Sequence, residues 1–205
     1  TDYFNEMSLL HRNLGAGQFE DVAAQARIGV GAMSFVKWGC GMVDFDNDGY
    51  KDIFIGCGHI YKDIDTVTAW TSYEVRPVLF RNLGNGQFAN VSDSSGDGLR
   101  VKMVARGIAF DDLDNDGRVD VVVLNRDRPP TILRNESATG NQWLQVQLHG
   151  VESNRDGVGA QVRGALGRVA AVHVEAERQP PGRGLLDGLR LAFTVGDLDR
   201  AVGRD

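Results

Sequence analysis

The sequence has little that would staple, span or stiffen a chain. Two cysteines, Cys40 and Cys57, and five prolines among 205 residues exclude a disulfide-dense scaffold and a proline-rich linker. No stretch of 18 apolar residues occurs, so no segment reads as a transmembrane helix, and no basic stripe suggests a nucleic-acid surface. Phosphate-loop, zinc-finger and nucleophile-elbow patterns are missing too, and no paired catalytic glutamates stand out, so the chain carries no visible enzyme constellation. Residues 1 to 135 hold no sustained helical period. The two cysteines sit in "GCG" triplets on either side of one acidic loop, where a hairpin could pair them or leave two buried free thiols.

Glycine and aspartate are what the chain has in quantity. The 26 glycines and an excess of 28 acidic over 22 basic residues give a net charge of -6, and eight of the acids fall in two short stretches. These are "DFDNDGYKD", Asp44 to Asp52, and "DLDNDGRVD", Asp112 to Asp120. In each, carboxylates at positions 1, 3 and 5 (Asp44, Asp46 and Asp48; Asp112, Asp114 and Asp116) converge only if the backbone curls, which Gly49 and Gly117 permit. Position 7 offers a backbone carbonyl from Tyr50 or Arg118, and position 9 a fourth carboxylate from Asp52 or Asp120. An all-oxygen set of this hardness suits Ca²⁺ better than zinc or copper. Two sites are therefore expected, and two divalent cations would neutralise most of the net charge. An EF-hand would need a bidentate Glu at position 12, but that place falls on Ile55, inside an apolar strand. The pattern predicts a calcium turn between β-strands.

The loops belong to an internal repeat. "RNLGAGQFEDV" from Arg12 and "RNLGNGQFANV" from Arg81 match at an offset of 69, and the acid loops at 68. A third copy starts at "TILRN" and stops after Asn135. The first unit carries an insertion around "GHIYKDIDTVTAWTSYEVRP", read as a loop on one face. Short apolar runs flank each motif ("VLF", "QFANV", "GIAF", "VDVVVL"), bounded by turn residues, and read as strands. Gly84 and Gly86, like Gly15 and Gly17, supply the positive φ angles of a tight hairpin. Four short strands per repeated unit describe a β-propeller blade. Two units cannot close a propeller, so the remaining blades are expected upstream of Thr1 or from another chain.

With "DxDNDGxxD" and "RNxGxGxF" each present twice, residues 9 to 135 resemble the FG-GAP/VCBS repeats of integrin-like β-propellers. Downstream, "NQWLQVQLHGVESNRDGVGAQV", Asn141 to Val162, is similar to the opening of an ASPIC/UnbV domain of the cartilage acidic protein group. The resemblance implies an all-β fold: a partial propeller with calcium-binding hairpin loops over residues 1–136, then a small β-rich domain over 137–205. The second part departs from the pattern after about residue 163, by divergence or by a shifted reading frame over 164–190. It also implies a secreted, periplasmic or cell-surface location and a binding or adhesion role toward an extracellular protein or glycan. Two other readings stay open: part of a secreted propeller enzyme acting on an extracellular polymer, and an architectural spacer of a surface protein.

The remaining candidates have ordinary structural readings beside functional ones. His59 lies near Tyr61, Asp63 and Asp65 in the insertion, but His11, His149 and His173 are not spaced as metal partners. Trp38, Trp70 and Trp143 suit core or interblade packing. Arg12, Arg81 and Arg134 are expected to brace their hairpins against neighbouring backbone. "SNRDG" (Ser153 to Gly157) reads as a polar turn with an Arg155–Asp156 pair. "NVS" at Asn90 and "NES" at Asn135 fit the glycosylation pattern, which acts only in a secretory route.

Overall fold

The computed structural model describes residues 2–141, 143–150, 162–163, 175–176 and 189–195. It is nearly all β and divides into two units, Thr1–Asn141 and Gln142–Asp205. Within the first unit, the hairpin of β1 (His11–Gly15) and β2 (Gln18–Asp21) is followed by an antiparallel sheet of β3 (Lys37–Val43), β4 (Asp52–Cys57), β5 (Val78–Asn82) and β6 (Phe88–Asn90). A three-stranded antiparallel sheet follows, built from β7 (Ala105–Asp111), β8 (Asp120–Asn125) and β9 (Thr131–Leu133). The strands run consecutively in each sheet, as in propeller blades, and the described residues form no closed ring. Among the described residues helix is limited to one turn, α1 (Ile64–Val67), inside the insertion, and a 3₁₀ turn at Asp97–Arg100.

The repeat seen in the sequence is thus a repeat of sheets. Hairpin β5–β6 reproduces β1–β2, and the glycines between their strands take positive φ (86° and 75° at Gly15 and Gly17, 73° and 81° at Gly84 and Gly86). Each acid loop joins the first two strands of its sheet, β3 to β4 and β7 to β8. Both pairs have one β-bulge near their outer end, between Lys37 and Cys40 in one and Ala105 and Gly107 in the other.

Two cores hold the unit together. One gathers Ile53, Ile55, Cys57, Val78 and Phe80 of the first sheet with Ala23, Ala26, Ile28 and Ala32 of the preceding segment. The other lies between the sheets and contains Phe45, Phe54, Met103, Val121 and Val123, with Phe110 and Leu133 against them. The sheets approach closely because of the "GCG" triplets. A Cβ on Gly58 would lie 2.7 Å from the Val104 Cα, and one on Gly41 would enter the Phe110 ring. The glycines of these triplets, rather than their cysteines, carry the structural constraint.

The cysteines are both free, Cys40 exposed and Cys57 buried. They face different partners across β3–β4, Cys40 opposite Ile55 and Cys57 opposite Lys37, so the expectation of two buried thiols holds only for Cys57. Burial pushes the Cys57 thiol up to about 12, which leaves almost no thiolate at neutral pH. Iodoacetamide should therefore label Cys40 in the native protein and Cys57 only after unfolding. Peptide mass spectrometry reads this directly, and native labelling of both would contradict the packing of β4.

Of the three tryptophans, Trp38 meets its expectation: the Arg106 guanidinium lies 4.1 Å above its ring and its indole N–H donates to the Gly58 carbonyl at 2.7 Å. Trp70 does not, being 81% exposed on the insertion. His59 is buried between Tyr3 and Tyr61, and its Nδ1 accepts the Tyr61 N–H, a structural role with no cluster of metal ligands around it among the described residues. The asparagines of both glycosylation patterns use their side chains internally: the Asn90 amide reaches the Gly31 carbonyl and that of Asn135 the Phe45 carbonyl.

In the second unit, β10 (Leu144–Gly150) pairs antiparallel with β13 (Leu189–Val195), and β11 (Val162–Arg163) with β12 (Glu175–Ala176). "SNRDG", and most of the stretch read as diverged or frameshifted, lie outside the described residues. Residues 137–141 remain with the first unit, because Ser137, Thr139 and Asn141 hydrogen-bond back into it.

Candidate metal centre

The two acid loops fold alike, bond for bond. In the first, the Asp44 carboxylate accepts the N–H groups of Asp48 (3.0 Å) and Gly49 (2.9 Å), and Asp48 accepts that of Tyr50 (2.8 Å). In the second, Asp112 accepts from Asp116 (3.0 Å) and Gly117 (2.8 Å), and Asp116 from Arg118 (2.9 Å). The chain closes on itself through left-handed backbone at two places per loop: φ is 54° at Asn47 and 90° at Gly49, 58° at Asn115 and 82° at Gly117. Glycine tolerates this at no steric cost and asparagine better than most residues.

The curl brings Asp44, Asp46 and Asp48 together, and likewise Asp112, Asp114 and Asp116, with one carboxylate oxygen from each within 4.8 Å of the others. Asp52 and Asp120 lie outside these triplets. Each is buried and spans two strands: Asp52 accepts from Phe45 N–H (3.1 Å) and Asn82 N–H (2.8 Å), Asp120 from Leu113 N–H (3.2 Å) and Asn135 N–H (2.7 Å). The ninth-position aspartate therefore ties the loop to the chain at the end of the next strand, β5 in one sheet and β9 in the other. Tyr50 and Arg118 hold the seventh position, where a side chain is free to differ.

Arginines supply part of the charge compensation. Arg81 Nη2 lies 2.8 Å from Asp46 Oδ2 and 3.6 Å from Asp48 Oδ2, and Arg134 repeats both distances to Asp114 and Asp116. The expectation that these arginines brace backbone is corrected in two copies: they face the carboxylates. Arg12, at the equivalent place in β1, pairs instead with Glu20 at 2.6 Å. The signal was in the sequence, since the Arg-Asn pair and the acid loop recur at nearly the same offset. Which motif met which could be read only after the strands had paired.

The loops also differ. In the second, Arg118 adds its guanidinium to Asp116, and Asp114 is 38% exposed. In the first, Asp46 is only 15% exposed in its side chain, and its Oδ1 is buried without a hydrogen-bond partner. Burial pushes the Asp46 carboxyl up; Arg81 pulls it down, while Asp48 and Asp44 push further up. Asp52 is also raised by burial, opposed by the N–H bonds from Asn82 and Phe45. A buried, bare carboxylate oxygen beside two further carboxylates is the environment a hard cation relieves, so the residues fit the calcium suggested by their spacing.

Comparison with known proteins bears on part of this chain. No curated protein matches it. Residues 62–123 match the FG-GAP-like repeat family, a stretch that takes in the Arg81 hairpin and the whole second acid loop but stops short of the first.

Proposed function

We propose that the chain is a calcium-stabilised binding module of the extracellular, adhesion type, in which each acid loop holds one Ca²⁺ and so clamps the first strand pair of its sheet to the strand after it. The observation that carries this reading is the unpartnered, buried Oδ1 of Asp46 within a triplet of carboxylates. The FG-GAP-like match over 62–123 supports the module class.

Asp44, Asp46 and Asp48 would hold one ion and Asp112, Asp114 and Asp116 the other, with the carbonyls of Tyr50 and Arg118 available at position 7. When bound, the cation supplies charge compensation that the arginines provide only in part. Asp52 and Asp120 position the triplets by fastening Asn82 and Asn135. No catalytic role is proposed for the site, because three carboxylates and a backbone carbonyl leave a bound cation little coordination space for a substrate. Among the described residues no helix is long and apolar enough to cross a membrane. A secreted, periplasmic or cell-surface location, with an extracellular protein or glycan as partner, belongs to this proposal.

Isothermal titration of the metal-free protein with CaCl₂ tests the reading. Two ions should bind, with affinities of roughly 10⁻⁴ to 10⁻³ M as in extracellular modules, or tighter. The first loop should be the stronger, since Arg118 already compensates Asp116 in the second. Asp46→Asn should remove the tighter event and Asp114→Asn the weaker. Titration without heat or saturation at millimolar calcium would refute the proposal.

A further inference from the structure

The two acid loops touch. Asn47, between Asp46 and Asp48, donates its side-chain amide to the Gly117 carbonyl of the other loop at 3.0 Å. In the opposite direction, Asn135 donates to the carbonyl of Phe45, between Asp44 and Asp46, at 2.8 Å. Thr139 and Asn141, a few residues on, both donate to the Asp46 carbonyl, at 3.0 and 2.8 Å. Asn135 is itself anchored in the second site: Asp120 holds its N–H at 2.7 Å, and its neighbour Arg134 lies on Asp114. Each loop thus fixes backbone between or beside the carboxylates of the other.

We propose that the two loops are one coupled cation-binding unit, in which ordering of either loop prepares its neighbour, with Asn47 and Asn135 as the links. This rests on the calcium reading above and adds to it that the sites are not independent. The physical reason is conformational entropy. Drawing three carboxylates into one geometry requires a curled backbone to be held still, and part of that ordering is shared through the cross-loop bonds. A loop whose neighbour is already ordered has less freedom to lose and binds more tightly, and the effect is reciprocal.

Asn47 can be removed cleanly. Asn47→Gly deletes the amide and suits a φ of 54°. The sister residue Asn115 has nearly the same φ, 58°, but is exposed and makes no bond to the first loop, so Asn115→Gly controls for backbone freedom.

The test is a thermodynamic cycle read by calcium titration calorimetry on the full chain. Calcium affinity of the first loop is measured with the second intact and with it disabled by Asp112→Asn plus Asp116→Asn, each with and without Asn47→Gly. Disabling the second loop should weaken the first about fivefold or more in the Asn47 background. The loss should be clearly smaller in the Asn47→Gly background, where Asn135 still links the loops, and persist in full in the Asn115→Gly background. Electrostatic effects of removing the aspartates are common to all backgrounds and cancel when the losses are compared between them. Equal losses with and without Asn47→Gly overturn the coupling, as does no loss in either. No binding by the wild type overturns the calcium reading instead, a different and recognisable result. Should Asn47→Gly unfold the protein, Asn141→Ala removes another link, at an exposed position, and runs through the same cycle.

Discussion

Calcium at about a hundred times its dissociation constant, roughly 10 to 100 mM for affinities of about 10⁻⁴ to 10⁻³ M, should raise the thermal midpoint of the first unit by about 5 to 10 °C for each occupied loop, and excess chelator should remove the gain. A ligand at a hundred times its dissociation constant stabilises the folded state by about 2.7 kcal/mol. For a chain of this size each kcal/mol moves the midpoint by roughly 2 to 4 °C. The effect is expected to be large because the carboxylates crowd one another and are raised by burial at Asp46 and Asp52. The combination Asp46→Ala with Asp114→Ala should lower the response to calcium to near zero. Magnesium should give a smaller shift, since it demands a rigid octahedral shell and dehydrates reluctantly. Differential scanning calorimetry with calcium, magnesium and chelator decides the matter; a midpoint indifferent to chelator would leave the loops as solvated turns.

Phe54→Ala should destabilise the first unit by about 3 to 5 kcal/mol. Phe54 is 1% exposed and lies between Phe45 and Phe110, with ring centroids 6.3 and 6.0 Å away. Phe45 and Phe110 also contact each other edge to face at 6.2 Å, so three rings from the first acid loop, β4 and β7 form one cluster between the sheets. Truncating the middle ring leaves a cavity that neither sheet can collapse into, because the glycines at 39 and 58 already bring the two sheets to backbone contact. Phe45 is also position 2 of the first loop, so the same substitution should weaken its calcium binding. Phe19→Ala, at a ring 61% exposed on β2, should change stability by less than about 0.5 kcal/mol. Urea unfolding of the pair gives the comparison, and similar midpoints for the two variants would mean that the cluster does not hold the sheets together.

Much of the fold is legible in the sequence. The apolar runs around "RNLGNGQF" and after each acid loop became β5, β6, β4 and β8, because alternation and turn glycines act locally. The curl of the acid loops was legible from Gly49 and Gly117. Their second left-handed position, at Asn47 and Asn115, was not inferred, since asparagine adopts that conformation by choice and glycine by default. The fourth carboxylate was read from spacing alone. Counting cannot show that Asp52 and Asp120 turn their oxygens to Asn82 and Asn135, since those partners arrive from 30 and 15 residues further along the chain.

The arginines make the same point. Their recurrence with the acid loops was visible, whereas their placement on Asp46 and Asp114 depends on β4 pairing with β5 and β8 with β9. The cysteines, prominent in sequence because rare, are bystanders to the glycines beside them, which matter only where a second sheet comes close.

The sequence by itself determined the repeat, the strands and the identity of the acidic residues, because these rest on interactions within a few residues of one another. Only the tertiary structure decided which oxygens remain bare, which arginines compensate them, and that one acid loop bonds to the next. Those outcomes depend on groups far apart in the chain, from Arg134 and Asp114 to Asn141 and Asp46, 95 residues apart, being brought together by strand pairing and sheet packing, and no local pattern encodes that meeting.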